Sequence, residues 1–257
     1  MARKRQTHSR RQQEQIARRQ RVRARQLAQT LAHAEAQDAV THLTGTYAAA
    51  GDALVTAVAQ DAPTPAKVYD AVRNAFTLVD QHLTKAQTPV ACRAGCAWCC
   101  HQAIMTTVPE VFLIASQVKK RFTPAEQAVL RQRLETNVAA YRRQGPEHYN
   151  RANHPCAFLQ TDGQCRIYAI RPLTCRGYHS TDVNACRQAY EQQTPISPAV
   201  IPQNLLAPAM GMAHGLALGT GEAGWAPTQI DLQTGVLIAL ETPDATQQWL
   251  DGKGIFR

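Results

Sequence analysis

The stretch TTVPEVFLIASQVKKRFTPAEQAVLRQRLE, residues 106–135, decides the fold class. Thr107 stands three residues ahead of Glu110, and Thr123 three ahead of Glu126, with a proline inside each interval. Both are capping-box patterns. The Thr hydroxyl accepts a hydrogen bond from the N–H three residues on, and the Glu carboxylate reaches back to the Thr N–H. Proline is tolerated there because the first N–H groups of a helix have no partner within it. Apolar residues then recur at helical spacing, which predicts two helices, 108–121 and 124–141, joined by a tight turn.

Working outward, the same logic extends in both directions. Val68, Val72, Phe76, Val79 and Leu83 recur at helical spacing over 65–86, with Thr64 as cap and Pro65 at the first position. Val40, Leu43, Tyr47, Leu54 and Val58 do so over 38–60. The turn DAPTPA between them implies an antiparallel helix pair. Beyond the Gly-, Pro-, His- and Asn-rich loop at 144–155, strand signals are scarce. The clearest is FLQTDGQCRIY, residues 158–168, where Asp162-Gly163 reads as a two-residue hairpin turn that sets Gln160 opposite Cys165 and Phe158 opposite Ile167. The tail opens with prolines and offers helices near 203–218 and 228–240, with GTGEAG between them read as a linker, since it lacks the preceding strand of a phosphate-binding loop. The expected fold is mainly α: a helical bundle scaffold carrying an irregular cysteine-rich metal-binding module with one short β-hairpin. The expected divisions are a basic arm (1–37), a helical hairpin (38–88), a cysteine-cluster domain (89–190) and a Pro-rich linker with C-terminal helices (191–257).

The formal charge of +9 belongs to one place. Residues 1–25 hold ten Lys or Arg against one Glu, and the rest of the chain is balanced. Such an arm cannot bury a face of its own and reads as disordered or as a solvated helix continuing into the next one. Its chemistry suits nucleic acid or an acidic partner. The N-terminus lacks the apolar core of a secretory signal, and no run of 18 apolar residues exists, so the expectation is a cytoplasmic protein without a membrane span.

Eight cysteines remain to be explained: Cys92, Cys96, Cys99, Cys100, Cys156, Cys165, Cys175 and Cys186. The first four fall within nine residues, CRAGCAWCC. In a reducing compartment, clustered thiols point to metal or redox chemistry rather than disulfides. Thiolates are soft donors that favour zinc, iron–sulfur clusters or monovalent copper. Eight of them suit two four-ligand sites, or one cluster plus one ion, with the adjacent Cys99 and Cys100 pointing different ways. Arg166, Arg171 and Arg176 lie beside Cys165 and Cys175, where they could offset thiolate charge. His101 and His179 are alternative ligands. Trp98 would shield the cluster, whereas Trp225 and Trp249 suit packing in the tail. The spacing Cys92-x-x-x-Cys96-x-Trp98-Cys99 also matches the radical S-adenosylmethionine motif, but the alternating strands and helices of that barrel do not follow it.

The combination of CRAGCAWCC, CAFL from Cys156, and CRIYAIRPLTCR from Cys165 to Arg176 resembles the YkgJ-like CxxCxxCC cysteine-cluster family. The resemblance covers about 92–186. It implies a domain that chelates zinc or iron, with the eight cysteines as metal ligands and no reaction specified. The functional expectation is a zinc- or iron-binding protein, the iron as an ion or an iron–sulfur cluster, with a structural or accessory role beside an unspecified protein partner. The alternatives are an iron–sulfur or redox enzyme, and a factor that contacts nucleic acid through residues 1–25.

Overall fold

The computed structural model describes residues 10–256. The chain separates into two units, residues 1–42 and residues 43–257. Helix α1 (Arg10–Gln60) supplies the whole described part of the first. Arg, Gln and Ala are strong helix formers, and here they form an exposed helix on which Arg18, Arg21, Arg23 and Arg25 stand in solvent. Of the expected arm, residues 1–9 lie outside the described residues.

In the second unit, α2 (Pro65–Ala86) begins where the cap predicts: Thr64 Oγ1 accepts from the Lys67 N–H at 3.4 Å. Its Val72, Ala75 and Val79 are fully buried. A two-stranded antiparallel ribbon pairs β1 (Met105–Thr107) with β2 (Gln229–Asp231), setting Thr106 opposite Ile230. Each strand runs straight into a helix, α3 (Val108–Arg121) from β1 and α8 (Leu232–Glu241) from β2. The ribbon thus launches two helices side by side, and α3 packs on α8. Residues 229–231, expected within a helix, are the second strand. Asp231 ends it by accepting from the N–H and hydroxyl of Thr234, both at 2.8 Å. The nearly unbroken apolar run of α3 explains its central place, with Val108, Val111, Leu113, Ile114 and Val118 wholly buried. Trp225 and Trp249 pack together in the core with ring centroids 5.2 Å apart.

Two glycine-containing stretches differ from their sequence reading. Helix α4 (Pro124–Arg151) continues past 141 into the expected loop. Gly145 adopts φ 74° and kinks the helix, and Pro146 then opens a further turn for which its fixed φ is suited. Helix α7 (Gln203–Glu222) absorbs most of GTGEAG. Gly211, Gly215 and Gly219, four residues apart, form a stripe that lets α1 approach. A Cβ at Gly211 or Gly215 would overlap the carbonyl oxygen of Thr44 or Ala48, and one at Gly219 would lie 2.9 Å from Asp52 Oδ1. Of the expected linker, Gly219 thus belongs to a close helix contact.

Two short helices complete the part that bears on the cysteines, α5 (Leu173–Gly177) and α6 (Val183–Glu191), and α9 (Ala245–Leu250) closes the chain. α5 packs on α7 and α2. It is anchored by Glu110, which is 1% exposed. Glu110 Oε2 accepts from Thr106 Oγ1 (2.9 Å), Thr107 Oγ1 (2.8 Å) and the Thr107 N–H (2.9 Å), while Oε1 accepts from the Leu173 N–H at 2.7 Å. One carboxylate therefore caps α3 and holds the start of the helix that carries Cys175.

Substituting Gly215→Ala forces α1 and α7 apart and lowers stability by about 1–3 kcal/mol in urea unfolding. Gly45→Ala, in open space within α1, raises it by about 0.5–1 kcal/mol. Glu110→Gln turns an amide donor toward groups that themselves donate, and lowers stability by about 2–3 kcal/mol in the same assay.

Candidate metal centre

The first cysteine segment is an irregular loop stapled to its surroundings by backbone bonds. The Ala91 N–H donates to Ser180 O at 2.7 Å, and the Ser180 N–H donates to Cys92 Sγ at 3.3 Å. Gly95 takes φ 81°, and the Cys96 N–H closes a turn on Arg93 O at 3.0 Å. The chain then coils into a 3₁₀ turn, Trp98–His101, that carries Cys99 and Cys100. Trp98 lies 5.3 Å from the Tyr190 ring and packs with Cys99 against the small cluster around buried Cys186.

Cys156 is tied to this turn directly, since its N–H donates to Cys100 O at 2.8 Å. A buried amide network fixes the chain on either side of it. Asn137 Nδ2 donates to Pro155 O (2.8 Å) and to Gln233 Oε1 (2.7 Å), the Ala157 N–H donates to the same Gln233 oxygen (2.9 Å), and Gln233 Nε2 donates to Tyr149 OH (2.9 Å). Buried amides of this kind are costly unless fully paired. Sequence reading passed over Asn137 and Gln233, because neither lies near a cysteine along the chain.

The hairpin that carries Cys165 forms, with its register shifted by one from the expected pairing. Cys165 pairs with Leu159 rather than Gln160, and the Gln160 N–H donates to Gln164 O at 2.8 Å. The loop is therefore Thr161-Asp162-Gly163, a three-residue turn with Gly163 at φ 79° in the left-handed position. Asp162 Oδ1 stabilises it by accepting from the Gln164 N–H at 2.9 Å. A side chain at Gly163 would press to 2.7 Å from Gly95 O, so the hairpin apex and the first cysteine loop meet backbone to backbone.

Cys175 sits on α5, and Cys186 on α6, where the Asp182 cap accepts from the Asn184 N–H at 2.8 Å. All eight cysteines are free thiols. Among the described residues, no three Cys, His, Asp or Glu side chains already stand in the arrangement of a finished ion site. They do share one electrostatic neighbourhood. Burial pushes up Cys92, Cys165, Cys175 and Cys186, and lifts Cys156 to about 12. Cys99 is raised first by its hydrogen bond with Cys100, then by burial. The charge that Cys99 would carry raises Cys92, Cys156, Cys165, Cys175 and Cys186 alike.

Of the three arginines expected to offset that charge, one does so. Arg171 lowers Cys99, Cys165 and Cys175, lying with Nε 3.4 Å from Cys175 O and its guanidinium 3.8 Å over the Tyr168 ring. Arg166 is engaged by Glu126 at 2.7 Å and the Phe122 ring. Arg176 is 3% exposed, pairs with Asp80 at 2.5 Å and covers Phe76, bracing α5 against α2. His101 is held by Ala97 O at 3.1 Å and the edge of Tyr190. His179 differs: its buried Nδ1 has no hydrogen-bond partner, and burial followed by Arg171 lowers its basicity.

These donors fit a soft cation. They are reduced sulfurs, mutually repulsive once ionised, with the Arg171 cation beside Cys175. No helix among the described residues is long and apolar enough to cross a membrane. No curated protein and no solved structure matches the chain. Residues 91–195 match the CxxCxxCC family model, described as "Putative zinc- or iron-chelating domain", over the segment whose motifs resemble that family.

Proposed function

We propose that the cysteine-bearing segment chelates zinc or iron through Cys92, Cys96, Cys99, Cys100, Cys156, Cys165, Cys175 and Cys186. The observation that carries this reading is that five free thiols from well-separated parts of the chain, Cys92, Cys156, Cys165, Cys175 and Cys186, all lie within electrostatic reach of Cys99 in the 98–101 turn. A cluster of ionised sulfurs without a cation would repel itself. A bound ion or iron–sulfur cluster supplies the positive charge that holds them together, and cross-links distant loops. Within this reading Arg171 offsets part of the remaining negative charge, and the helical scaffold presents the donors. The role is structural or accessory, with the metal stabilising the fold of the segment.

A second reading, contact with nucleic acid, is supported by the exposed arginines of the first unit. Arg18, Arg21, Arg23 and Arg25 lie along a solvated helix, able to follow a phosphate backbone without base recognition.

Protein purified without oxygen carries zinc or iron on elemental analysis, a visible-absorbing brown preparation identifying an iron–sulfur cluster and a colourless one zinc. Finding neither metal sinks the reading. Because each thiol must lose its proton to bind, zinc uptake by the metal-free protein releases protons, and its affinity rises with pH up to the raised thiol range; a pH-independent affinity contradicts thiolate ligation. Deleting residues 1–25 removes binding of single-stranded RNA or duplex DNA and flattens its salt dependence, and unchanged binding rules out the arm.

A further inference from the structure

The geometry points to a docking groove for a segment of a partner protein in which an apolar residue stands beside Asp or Glu. The groove lies between the first turns of α4 and the 157–161 arm of the hairpin, and none of the eight cysteines lines it. It stands independently of the metal-binding reading above.

The groove encloses about 350 Å³, a volume within the range of specific binding sites. Val129, Leu130 and Arg133, on one face of α4, line one side, and Gln160 and Thr161 of the hairpin line the other. The lining is apolar where it meets the core: Leu130, Ala157 and Phe158 are 3%, 4% and 2% exposed. Val129 belongs to the same lining and is 52% exposed. An aliphatic or aromatic side chain seated against Val129 would cover apolar surface that the chain's own core leaves in water.

Charge selects the occupant. The lining holds two arginines, Arg133 and Arg166, against one carboxylate, Glu126. Both Glu126 oxygens are engaged within the chain. Oε1 accepts from Arg166 Nη2 at 2.7 Å, and Oε2 accepts from the Thr123 N–H (2.8 Å) and hydroxyl (3.0 Å). Arg166 is thereby neutralised, and its guanidinium lies 5.0 Å over the Phe122 ring. Arg133 is not: its Nη1 donates to Leu159 O at 3.0 Å, and no carboxylate among the described residues pairs with it. One carbonyl uses one of the five N–H donors of a guanidinium, and the remainder suit a carboxylate. A segment with an apolar residue next to an acid satisfies both halves of the groove at once. The chain's own ends do not. Residues 1–9 carry three Lys or Arg and no Asp or Glu, so their charge is of the wrong sign, and Ile255 and Phe256 already pack against the main core.

The test uses the full chain as purified, immobilised and offered random peptides displayed on phage, with Arg133→Glu protein as the counter-selection. Peptides kept by wild type and lost by Arg133→Glu share an apolar residue beside Asp or Glu. A synthetic copy carrying a fluorescent label binds wild type in an anisotropy titration. Arg133→Glu weakens it by about tenfold or more, Val129→Asp also weakens it, and Arg142→Glu, a charge reversal on α4 outside the groove, leaves it unchanged. Replacing the acid of the peptide by Lys abolishes binding to wild type and restores it to Arg133→Glu. Failure to select any peptide that discriminates the two proteins, a selected sequence without an acid, or equal weakening by Arg142→Glu overturns the groove. A wild-type dimer in sedimentation that Arg133→Glu dissociates seats a second copy there and overturns the partner segment. Should a variant lose its helical circular dichroism, wild type decides alone: the selected peptide, carrying a benzophenone, is photo-crosslinked and mapped by mass spectrometry. Crosslinks within 122–133 or 157–166 support the groove, and crosslinks elsewhere overturn it.

Discussion

A single buried carboxylate does most to join scaffold to site. Glu110 lies at the start of the central helix, and four donors satisfy it: two threonine hydroxyls, the helix cap N–H, and the N–H of Leu173. An ionised group removed from water persists only where hydrogen bonds replace its hydration. The local capping geometry of α3 and the long-range placement of α5 are consequently one energetic unit. Arg176 performs a parallel task from the other side. Its guanidinium joins α5 to α2 through Asp80 and Phe76, while Nε and a terminal nitrogen bind the carbonyls of Arg171 and Ala169. The short helix bearing Cys175 has too few residues to be stable alone, and these two buried charges hold it in place.

The cysteine segments themselves contain little regular structure. Their shape comes from the stiff elements around them. The Asn137–Gln233–Tyr149 network fixes Pro155 to Ala157 from two helices at once. Ser180 fixes the loop at Cys92, and the N–H of Cys156 locks onto the turn at Cys100. Short irregular loops lose backbone entropy when ordered, with few contacts of their own to offset it. The helical body provides that offset, and it leaves the sulfurs close enough to influence one another's ionisation.

Much of the helical scaffold was legible because its signals are local. Thr64-Pro65, Thr107 with Glu110, and Thr123 with Glu126 mark starts that the chain obeys, since caps act within one turn. The misread places are those where glycine is decided by a distant neighbour. Gly219 reads as the start of a linker until Asp52 is seen against it. Asp162-Gly163 suits two-residue and three-residue hairpins alike, and the structure adopts the latter, shifting Cys165 by one place. At the candidate site the sulfur donors were legible from spacing. The duties of the arginines were not, because the partners of Arg166 and Arg176, Glu126 and Asp80, lie 40 and 96 residues away. Glu110 was read as a cap, and its second oxygen, serving Leu173, carried no local sign.

The contact between Gly95 and Gly163 has a consequence for how the sulfur donors come to be neighbours. Both residues hold a left-handed backbone, and a single added carbon at Gly163 would press on the Gly95 carbonyl. The missing methyl at Gly163 leaves the two segments room to meet. A methyl at Gly163 would work as a wedge, prising the first donor loop from the hairpin beneath it, so the spacing of the two donor-bearing segments hangs on one hydrogen atom.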